Sequence, residues 1–218
     1  MELKGKKIAF LGDSITEGCC ASKPENFYWN LVARDTGALG YGYGIGGTRI
    51  APQIEPSEEP IYDRYFASRI DEIIPDADVI VVFGGTNDFG HGDAPFGNLD
   101  DRGEDTFCGA MHCLLQKLII RYPNAQLVVM TPLHREGEEY LASGDRGKPR
   151  QAKLEAYVDA IIAISGYYGV PVLDLFRTCS MQPGVPLVKE MFMPDGLHPN
   201  DAGHRRLADR VIGFLTSL

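Results

Sequence analysis

The stretch Phe10-Leu11-Gly12-Asp13-Ser14-Ile15-Thr16-Glu17-Gly18 decides how the rest of the chain is interpreted. It continues an apolar run that starts at Ile8, and such a run is typical of a buried parallel strand. Ser14 is therefore expected just beyond the carboxyl end of a strand, where open α/β sheets bind their ligands. Serine is also a preferred helix N-cap, so this stretch alone is compatible with a purely structural serine.

Apolar runs and helical patterns alternate along the rest of the chain. The spacing predicts strands at 7–11, 39–43, 78–83, 126–130 and 170–173. It predicts helices at 26–36, 61–74, 106–121 and 149–165, a final helix capped by Asn200, and an irregular segment at 179–193. Such alternation requires a mostly parallel sheet of about five strands with helices on both faces. We therefore predict a single α/β domain over residues 1–218.

The composition and net charge of the chain indicate which kinds of binding partner are disfavoured. The net charge of −9 and the pI near 5.0 argue against nucleic acid and anionic membranes, since both need a basic surface. The first apolar run is cut short by Asp13, which makes it too short for a signal peptide or a membrane span. We expect a cytoplasmic protein that acts on a small molecule; the sequence leaves its oligomeric state open.

The five cysteines are odd in number and lack a paired CxxC spacing. Reduced thiols are therefore favoured over a disulfide framework or a zinc site. The vicinal pair Cys19-Cys20 follows Ser14 closely, and we interpret it as small filler residues, with a redox role as the alternative. The pair His91 and Asp93 offers only two metal ligands, which is too few for a site.

Several common motifs are absent or weak. The α/β-hydrolase motif GxSxG and the phosphate-binding motif GxxxxGK[ST] do not occur. A GxGxxG occurs at Gly42, Gly44 and Gly47, but the preceding strand is short and Pro52 interrupts any helix after it. A dinucleotide site is therefore disfavoured, and no residue is predicted to bind a cofactor or a metal.

The turn Asp195-Gly196-Leu197-His198 contains two further candidate catalytic residues, an aspartate and a histidine. Acyl transfer by a serine needs a base to take the hydroxyl proton and an acid to orient that base. Asp195 and His198 can supply both if their turn faces Ser14, although a lone pair of this kind more often makes local turn contacts. Gly47 and Asn87 follow other strands, and a parallel sheet brings all these positions to its carboxyl edge. They can serve as oxyanion donors or as ordinary turn residues.

Four stretches taken together resemble the SGNH (GDSL) hydrolases. They are Gly12-Asp13-Ser14, Gly47, Gly84-Gly85-Thr86-Asn87-Asp88 and Asp195-Gly196-Leu197-His198-Pro199, in the order of that family. The resemblance implies a flavodoxin-like three-layer α/β/α sandwich and hydrolysis of esters. One position departs from it, because many members have asparagine where this chain has Gly42.

The resemblance also implies the role of each residue. Ser14 would be the nucleophile, His198 the general base and Asp195 its orienting partner. The oxyanion hole would be formed by the Ser14 N–H, the Gly47 N–H and the Asn87 side chain. Such acyl transfer needs no metal or organic cofactor.

The expected function is a serine esterase of short-chain acyl or acetyl esters, with O-acetylated carbohydrate as a candidate substrate. The alternatives are a thioesterase or lysophospholipase with the same triad, and a non-catalytic flavodoxin-like module that binds phosphate or a nucleotide. Loops at 19–27, 89–105, 133–147 and 179–191 are expected to set the substrate. His134 is a competing base at the same edge, whereas His112 and His204 are expected to be structural. Asp13 and Asp88 are expected to hold their loops through backbone N–H groups.

Overall fold

The computed structural model describes residues 1–141 and 150–218. Within them, one sheet of five parallel strands has the order β2-β1-β3-β4-β5. The strands are β1 Lys7–Gly12, β2 Leu39–Gly44, β3 Val79–Phe83, β4 Gln126–Met130 and β5 Val172–Leu173. In the register, Gly12 pairs with both Gly44 and Phe83, so these strands end at one common edge.

Helices cover both faces of the sheet. They are α1 Ser14–Glu17, α2 Tyr28–Thr36, α3 Thr86–Gly90, α4 Phe107–Arg121, α5 Leu154–Tyr167, α6 Leu175–Thr178, α7 Pro186–Phe192 and α8 Asp201–Ser217. Three stretches, Pro24–Asn26, Pro60–Asp63 and Phe66–Glu72, are 3₁₀-helical. The arrangement confirms the predicted three-layer α/β/α fold with a parallel sheet.

The core is divided by the sheet into two layers, because successive strand residues point to opposite faces. Ala9 and Leu11 pack in the layer that contains α4 and α5, and Ile8 and Phe10 pack in the layer that contains α2 and α8. Full burial of one such side chain stabilises the fold by roughly 1.5–3 kcal/mol. Both faces of β1 are therefore apolar, which explains the unbroken run before Ser14.

Two predicted elements are wrong. The predicted helix at 61–74 is replaced by the 3₁₀ stretches Pro60–Asp63 and Phe66–Glu72. Tertiary hydrogen bonds compete with the helix there, since the Phe66 N–H donates to the Arg49 carbonyl at 2.9 Å. The segment at 179–193 is not wholly irregular, because α7 forms within it and starts at Pro186, a residue suited to the first helical position.

Other boundaries shift by a few residues. The predicted helix at 149–165 corresponds to α5, and Pro149 lies outside the described residues. Thr106 and Asn200 cap α4 and α8 as predicted, through side-chain oxygens that accept the N–H groups of Gly109 and Gly203. The short helices α1 and α3 were not predicted, since four and five residues give no readable period.

A buried arginine ties the carboxyl ends of β1 and β2 together. Arg69 is 1% exposed, and its guanidinium donates to the carbonyls of Gly12 at 3.0 Å and Tyr43 at 2.9 Å. It also donates to the Thr48 hydroxyl at 3.1 Å. Burial lowers the pKa of Arg69 to about 10, which leaves it charged at neutral pH. Arg69 therefore fixes the strand ends from which the loops at this edge emerge.

No helix in residues 1–141 or 150–218 is long and apolar enough to cross a membrane.

Candidate active site

The turn after β1 holds Ser14 through contacts of its own residues. Asp13 is the N-cap of α1, and its side chain accepts the Ile15 N–H at 3.0 Å. Burial raises the pKa of Asp13 to about 6, although the Ile15 N–H opposes the shift. A Cβ at Gly12 would lie 2.0 Å from the Thr16 hydroxyl, so only glycine fits beneath this turn. Ser14 is the first helical residue, and its N–H therefore has no carbonyl partner within the helix.

Ser14, His198 and Asp195 lie in one hydrogen-bonded line. The Ser14 Oγ is 3.0 Å from the His198 Nε2, and the His198 Nδ1 is 2.6 Å from an Asp195 carboxylate oxygen. A carboxylate accepts only, so it selects the tautomer with the proton on Nδ1 and leaves Nε2 to accept the serine proton. This arrangement can move a proton from Ser14 to His198.

The Asp195 carboxylate is held by its own turn. Its other oxygen accepts the N–H groups of Leu197 at 2.9 Å and His198 at 2.7 Å. Burial favours the neutral acid, but the hydrogen bonds from His198 and Leu197 outweigh it and keep the pKa of Asp195 below its usual value. Asp195 is therefore ionised wherever an imidazole can act as a base.

The turn after β3 places Asn87 at the same edge. The Asn87 Nδ2 donates to the Thr48 carbonyl at 3.0 Å, which uses one of its two N–H groups. Gly47 lies beside it in a left-handed conformation, with φ of 71°. A Cβ at Gly47 would make only ordinary contacts, with the nearest ring carbon of Tyr62 at 3.7 Å, so the positive φ and not a lack of space favours glycine. Because glycine has no side chain, the Gly47 backbone can approach a substrate closely.

Asn87 is oriented by His91, which the sequence suggested only as one of two metal ligands, and by Arg49, which the sequence did not single out. Its Oδ1 is 3.2 Å from the His91 Nε2, and the His91 Nδ1 is 3.2 Å from the Arg49 guanidinium. Arginine only donates, so His91 accepts at Nδ1 and donates from Nε2 to Asn87. His91 follows Asn87 by four residues, which is the spacing of neighbours on one helix face. This spacing was the sequence signal from which their contact could have been inferred.

Asp88 anchors the loop that carries Gly47. Its two carboxylate oxygens accept the N–H groups of Ile50 at 3.0 Å and Ala51 at 2.9 Å. Burial raises the pKa of Asp88 to about 6, against the effect of those two N–H groups. The expectation that Asp13 and Asp88 hold their loops through backbone N–H groups is confirmed.

An open cavity of about 460 Å³ lies over Ser14. Most of its lining residues carry polar side chains, but most of the surface that they expose is apolar; the residues are Ser14, Glu17, Cys19, Gly46, Gly47, Arg49, Tyr62, Asn87, His91, Arg135, Leu197 and His198. Glu17, Arg49, Tyr62 and Arg135 were not singled out from the sequence, because distant loops bring them together. The loops predicted at 19–27, 89–105 and 133–147 each contribute a residue, although part of the last lies outside the described residues.

The other histidines lie apart from this cavity. His134 is 2.8 Å from a Glu138 carboxylate oxygen and 3.0 Å from the Gln182 amide, and it does not line the cavity. His204 is buried and accepts the Tyr28 N–H at 3.1 Å. Burial lowers the pKa of His204 to about 4, so it is neutral and structural, as predicted.

The departure at Gly42 has a steric reason. A Cβ at this position would lie 2.5 Å from the Trp29 ring, which packs across β2. The Trp29 Nε1 also donates to the Thr16 carbonyl at 2.9 Å, two residues beyond Ser14. The indole therefore fills the space that a side chain at position 42 would need, and it contacts the helix that carries Ser14.

One protein-family model matches most of the chain. The model of the GDSL-like lipase/acylhydrolase family matches residues 10–206. No curated protein matches the chain.

Solved structures give a similar result. A protein from Lactobacillus plantarum is 34% identical, with a TM-score of 0.80, over 99% of this chain and 98% of that one. The acetyl xylan esterase AlAXEase is 24% identical, with a TM-score of 0.66, over 96% and 99% of the two chains. A two-domain esterase active on acetylated mannans is 21% identical, with a TM-score of 0.66, over 99% of this chain and 49% of that one. For the two esterases, the similarity is one of fold alone.

Proposed function

Because the chain belongs to the GDSL-like lipase/acylhydrolase family and is a carboxylic ester hydrolase, we propose that it cleaves short-chain acyl esters through Ser14, His198 and Asp195. The observation that carries this proposal is the line from the Ser14 Oγ to the His198 Nε2 at 3.0 Å and on to Asp195 at 2.6 Å. Residues from opposite ends of the chain meet there in the order that proton transfer requires.

The proposed reaction has two steps. His198 takes the Ser14 proton at Nε2 while the Ser14 Oγ attacks the ester carbonyl. His198 then returns the proton to the departing alcohol, and an acyl-enzyme remains on Ser14. A water molecule, deprotonated by His198 in turn, releases the acid and restores Ser14.

Three N–H groups are proposed to hold the oxyanion. They are the Ser14 N–H at the start of α1, the Gly47 N–H and the second Asn87 N–H, the one not used by Thr48. Each donor of this kind is typically worth ~3 kcal/mol in the transition state. Asp195 stays ionised throughout and stabilises the imidazolium that forms on His198.

The cavity supports a small acyl group and a polar alcohol. A long acyl chain would need an apolar groove, because each buried CH₂ is worth about 0.8 kcal/mol. The lining includes the charged side chains of Glu17 and Arg135, which can hydrogen-bond the hydroxyl groups of a sugar. Two structural neighbours are an acetyl xylan esterase and an esterase active on acetylated mannans. We therefore propose O-acetylated carbohydrate as the substrate class.

The test compares p-nitrophenyl esters from acetyl to decanoyl, with Ser14→Ala as the background control. We expect kcat/KM to be highest for acetyl and to fall steeply as the chain lengthens. Acetate release is then measured from acetylated xylo-oligosaccharides, beside an acetyl thioester and a lysophospholipid. Faster turnover of the thioester or the lysophospholipid than of the acetylated sugar would replace the proposed substrate class.

A fluorophosphonate probe separates an esterase from a binding module. Such a probe forms a covalent bond only with an activated serine. We expect labelling of the wild type and none of Ser14→Ala. Absence of labelling in the wild type, together with no turnover of any ester, would favour the flavodoxin-like binding module.

A further inference from the structure

A cluster of two thiols and an imidazole lies beside the proposed active site. It consists of Cys19, Cys20 and His198, with one ligand atom of each within 4.8 Å of the other two. Both cysteines are exposed and unbridged, and the proposed reaction uses neither. The absence of a CxxC spacing predicts no zinc site, but the fold brings a histidine from the other end of the chain to the two cysteines.

The backbone directs both thiols to this place. Helix α1 ends at Gly18 with φ of 97°, and the Cys19 N–H donates back to the Ser14 carbonyl at 2.9 Å. Cys20 then adopts φ of 66°, a left-handed conformation that few residues other than glycine occupy. Its Sγ lies 3.7 Å from an Asp195 carboxylate oxygen. The two adjacent sulfurs are thus held on the side of the cleft where His198 stands.

Sulfur and imidazole nitrogen are the ligands that zinc prefers in proteins. A tetrahedral site has Zn–S near 2.3 Å and Zn–N near 2.0 Å, so its ligand atoms are about 3.5–3.8 Å apart. The three ligand atoms lie within 4.8 Å of one another, so coordination requires them to approach by at most about 1.3 Å. Three protein ligands leave a fourth position for water or for Asp195, whereas Mg²⁺ and Ca²⁺ prefer oxygen ligands throughout.

We propose that Cys19, Cys20 and His198 bind Zn²⁺ and that the bound ion stops ester hydrolysis. The second half of this proposal rests on the proposed role of His198 as the base. Coordination through Nε2 takes the lone pair that receives the Ser14 proton, and coordination through Nδ1 displaces Asp195. Either geometry leaves the fold intact but prevents His198 from accepting the Ser14 proton. A chelator removes the ion and restores hydrolysis.

The test has a binding arm and an activity arm, both on metal-free protein at one pH. Co²⁺ replaces Zn²⁺ in the binding arm, because a thiolate-to-cobalt charge-transfer band reports sulfur coordination directly. We expect this band at one Co²⁺ per chain and its loss in the Cys19→Ala/Cys20→Ala variant and in His198→Ala. In the activity arm, Zn²⁺ inhibits hydrolysis of p-nitrophenyl acetate, EDTA reverses the inhibition, and Mg²⁺ has no effect.

The matched control is Cys113→Ala, a half-buried cysteine on α4 whose sulfur contacts the Arg102 carbonyl. We expect this variant to be inhibited like the wild type. In the double cysteine variant we expect the inhibitory Zn²⁺ concentration to rise about 100-fold or more, because two ligands are lost. Changes to residues that only contact the ligands already lower metal affinity about 10–100-fold. Each variant is compared with its own metal-free rate.

The two proposals fail in different ways. Equal inhibition of the double cysteine variant, or no charge-transfer band in the wild type, would overturn the zinc site and leave the esterase proposal standing. A cysteine-dependent band in a protein that hydrolyses no ester would support the zinc site and overturn the proposed function.

Discussion

The turn after β1 and the turn after β3 are built alike but anchored differently. Each leaves a buried strand through glycine, opens a short helix and carries a buried aspartate beside a candidate catalytic side chain. Asp13, beside Ser14, accepts an N–H of its own helix. Asp88, beside Asn87, accepts two N–H groups from the loop at 50–51, in a part of the chain that precedes β3.

The difference shows how far each candidate depends on the rest of the molecule. The Asp13 cap of Ser14 lies within its own turn, and outside residues hold only the backbone there, as Arg69 and Trp29 do at the Gly12 and Thr16 carbonyls. The Asn87 amide itself depends on the Thr48 carbonyl, on His91 and, through His91, on Arg49. Distant substitutions are therefore expected to impair the proposed oxyanion hole most directly.

The largest expected effect comes from the β1 turn. Ser14→Ala removes the proposed nucleophile, and losses in serine triads reach about 10⁶ in kcat. We expect a fall of four to six orders of magnitude, on the order of those losses, with little change in Tm because the turn keeps its cap on Asp13. Single-turnover hydrolysis of p-nitrophenyl acetate and thermal unfolding measure the two quantities. A variant that keeps a tenth of the wild-type rate would show that Ser14 is not the nucleophile.

The corresponding change in the β3 turn is Asn87→Ala. Loss of one oxyanion donor typically lowers kcat by about 10²–10³. We expect a fall of that size with KM nearly unchanged, because the donor acts on charge that develops only in the transition state. Steady-state kinetics on the acetyl ester measure both constants. A rise in KM with kcat intact would place Asn87 in ground-state binding instead.

Asp88→Asn tests the anchor of the β3 turn through pH. The pKa of Asp88 is raised by burial from 3.8 to about 6, so folding favours its protonated form. That contribution is complete below pH 3.8 and is lost as pH rises through about 6. Relative to Asp88→Asn, the wild type should therefore lose up to about 3 kcal/mol over this range.

Thermal unfolding of both proteins from pH 4 to 7 measures this difference. We follow how the difference in Tm between the wild type and Asp88→Asn changes with pH. Any destabilisation by the asparagine that does not depend on pH cancels from this change. A Tm difference that does not vary with pH would mean that Asp88 is ionised in the folded protein across the whole range.

The smallest effect is expected at His91, which orients Asn87 without contributing a donor to the oxyanion. His91→Ala frees the Asn87 amide to rotate, and we expect kcat to fall about tenfold, as for loss of one hydrogen bond of ordinary strength. The double-mutant cycle with Asn87→Ala identifies the mechanism. If His91 acts through Asn87, its replacement has little further effect once Asn87 is alanine. Additive losses would assign His91 a separate role at the substrate.

The same contrast explains which features could be predicted from the sequence. The strands were predictable because buried parallel strands are continuous apolar runs, and the local motifs placed Ser14, Asp195 and His198 at one edge of the sheet. Arg69 and Arg49 were not predictable, since each acts on backbone or side chains that only the folded topology brings near, whereas the contact of His91 with Asn87 could have been inferred from their four-residue spacing. A lone polar residue in a loop carries no period from which its partner could be inferred.

The segment at 61–74 illustrates the same limit for secondary structure. Its apolar spacing predicted one α-helix, and Phe66 and Ile70 are indeed buried. The backbone is nevertheless 3₁₀-helical, because Arg69 must turn inward to the strand ends and the Phe66 N–H is used by Arg49. Periodicity reports which face is buried, and tertiary hydrogen bonds decide which helix forms.

The packing of Trp29 over Gly42 gives the protein an intrinsic spectroscopic probe. Trp29 is the only tryptophan in the chain, so all indole emission comes from this one place. Its ring nitrogen is bonded to the Thr16 carbonyl, on the short helix that begins at Ser14. A change in emission wavelength or lifetime therefore reports a movement of that helix without an added label.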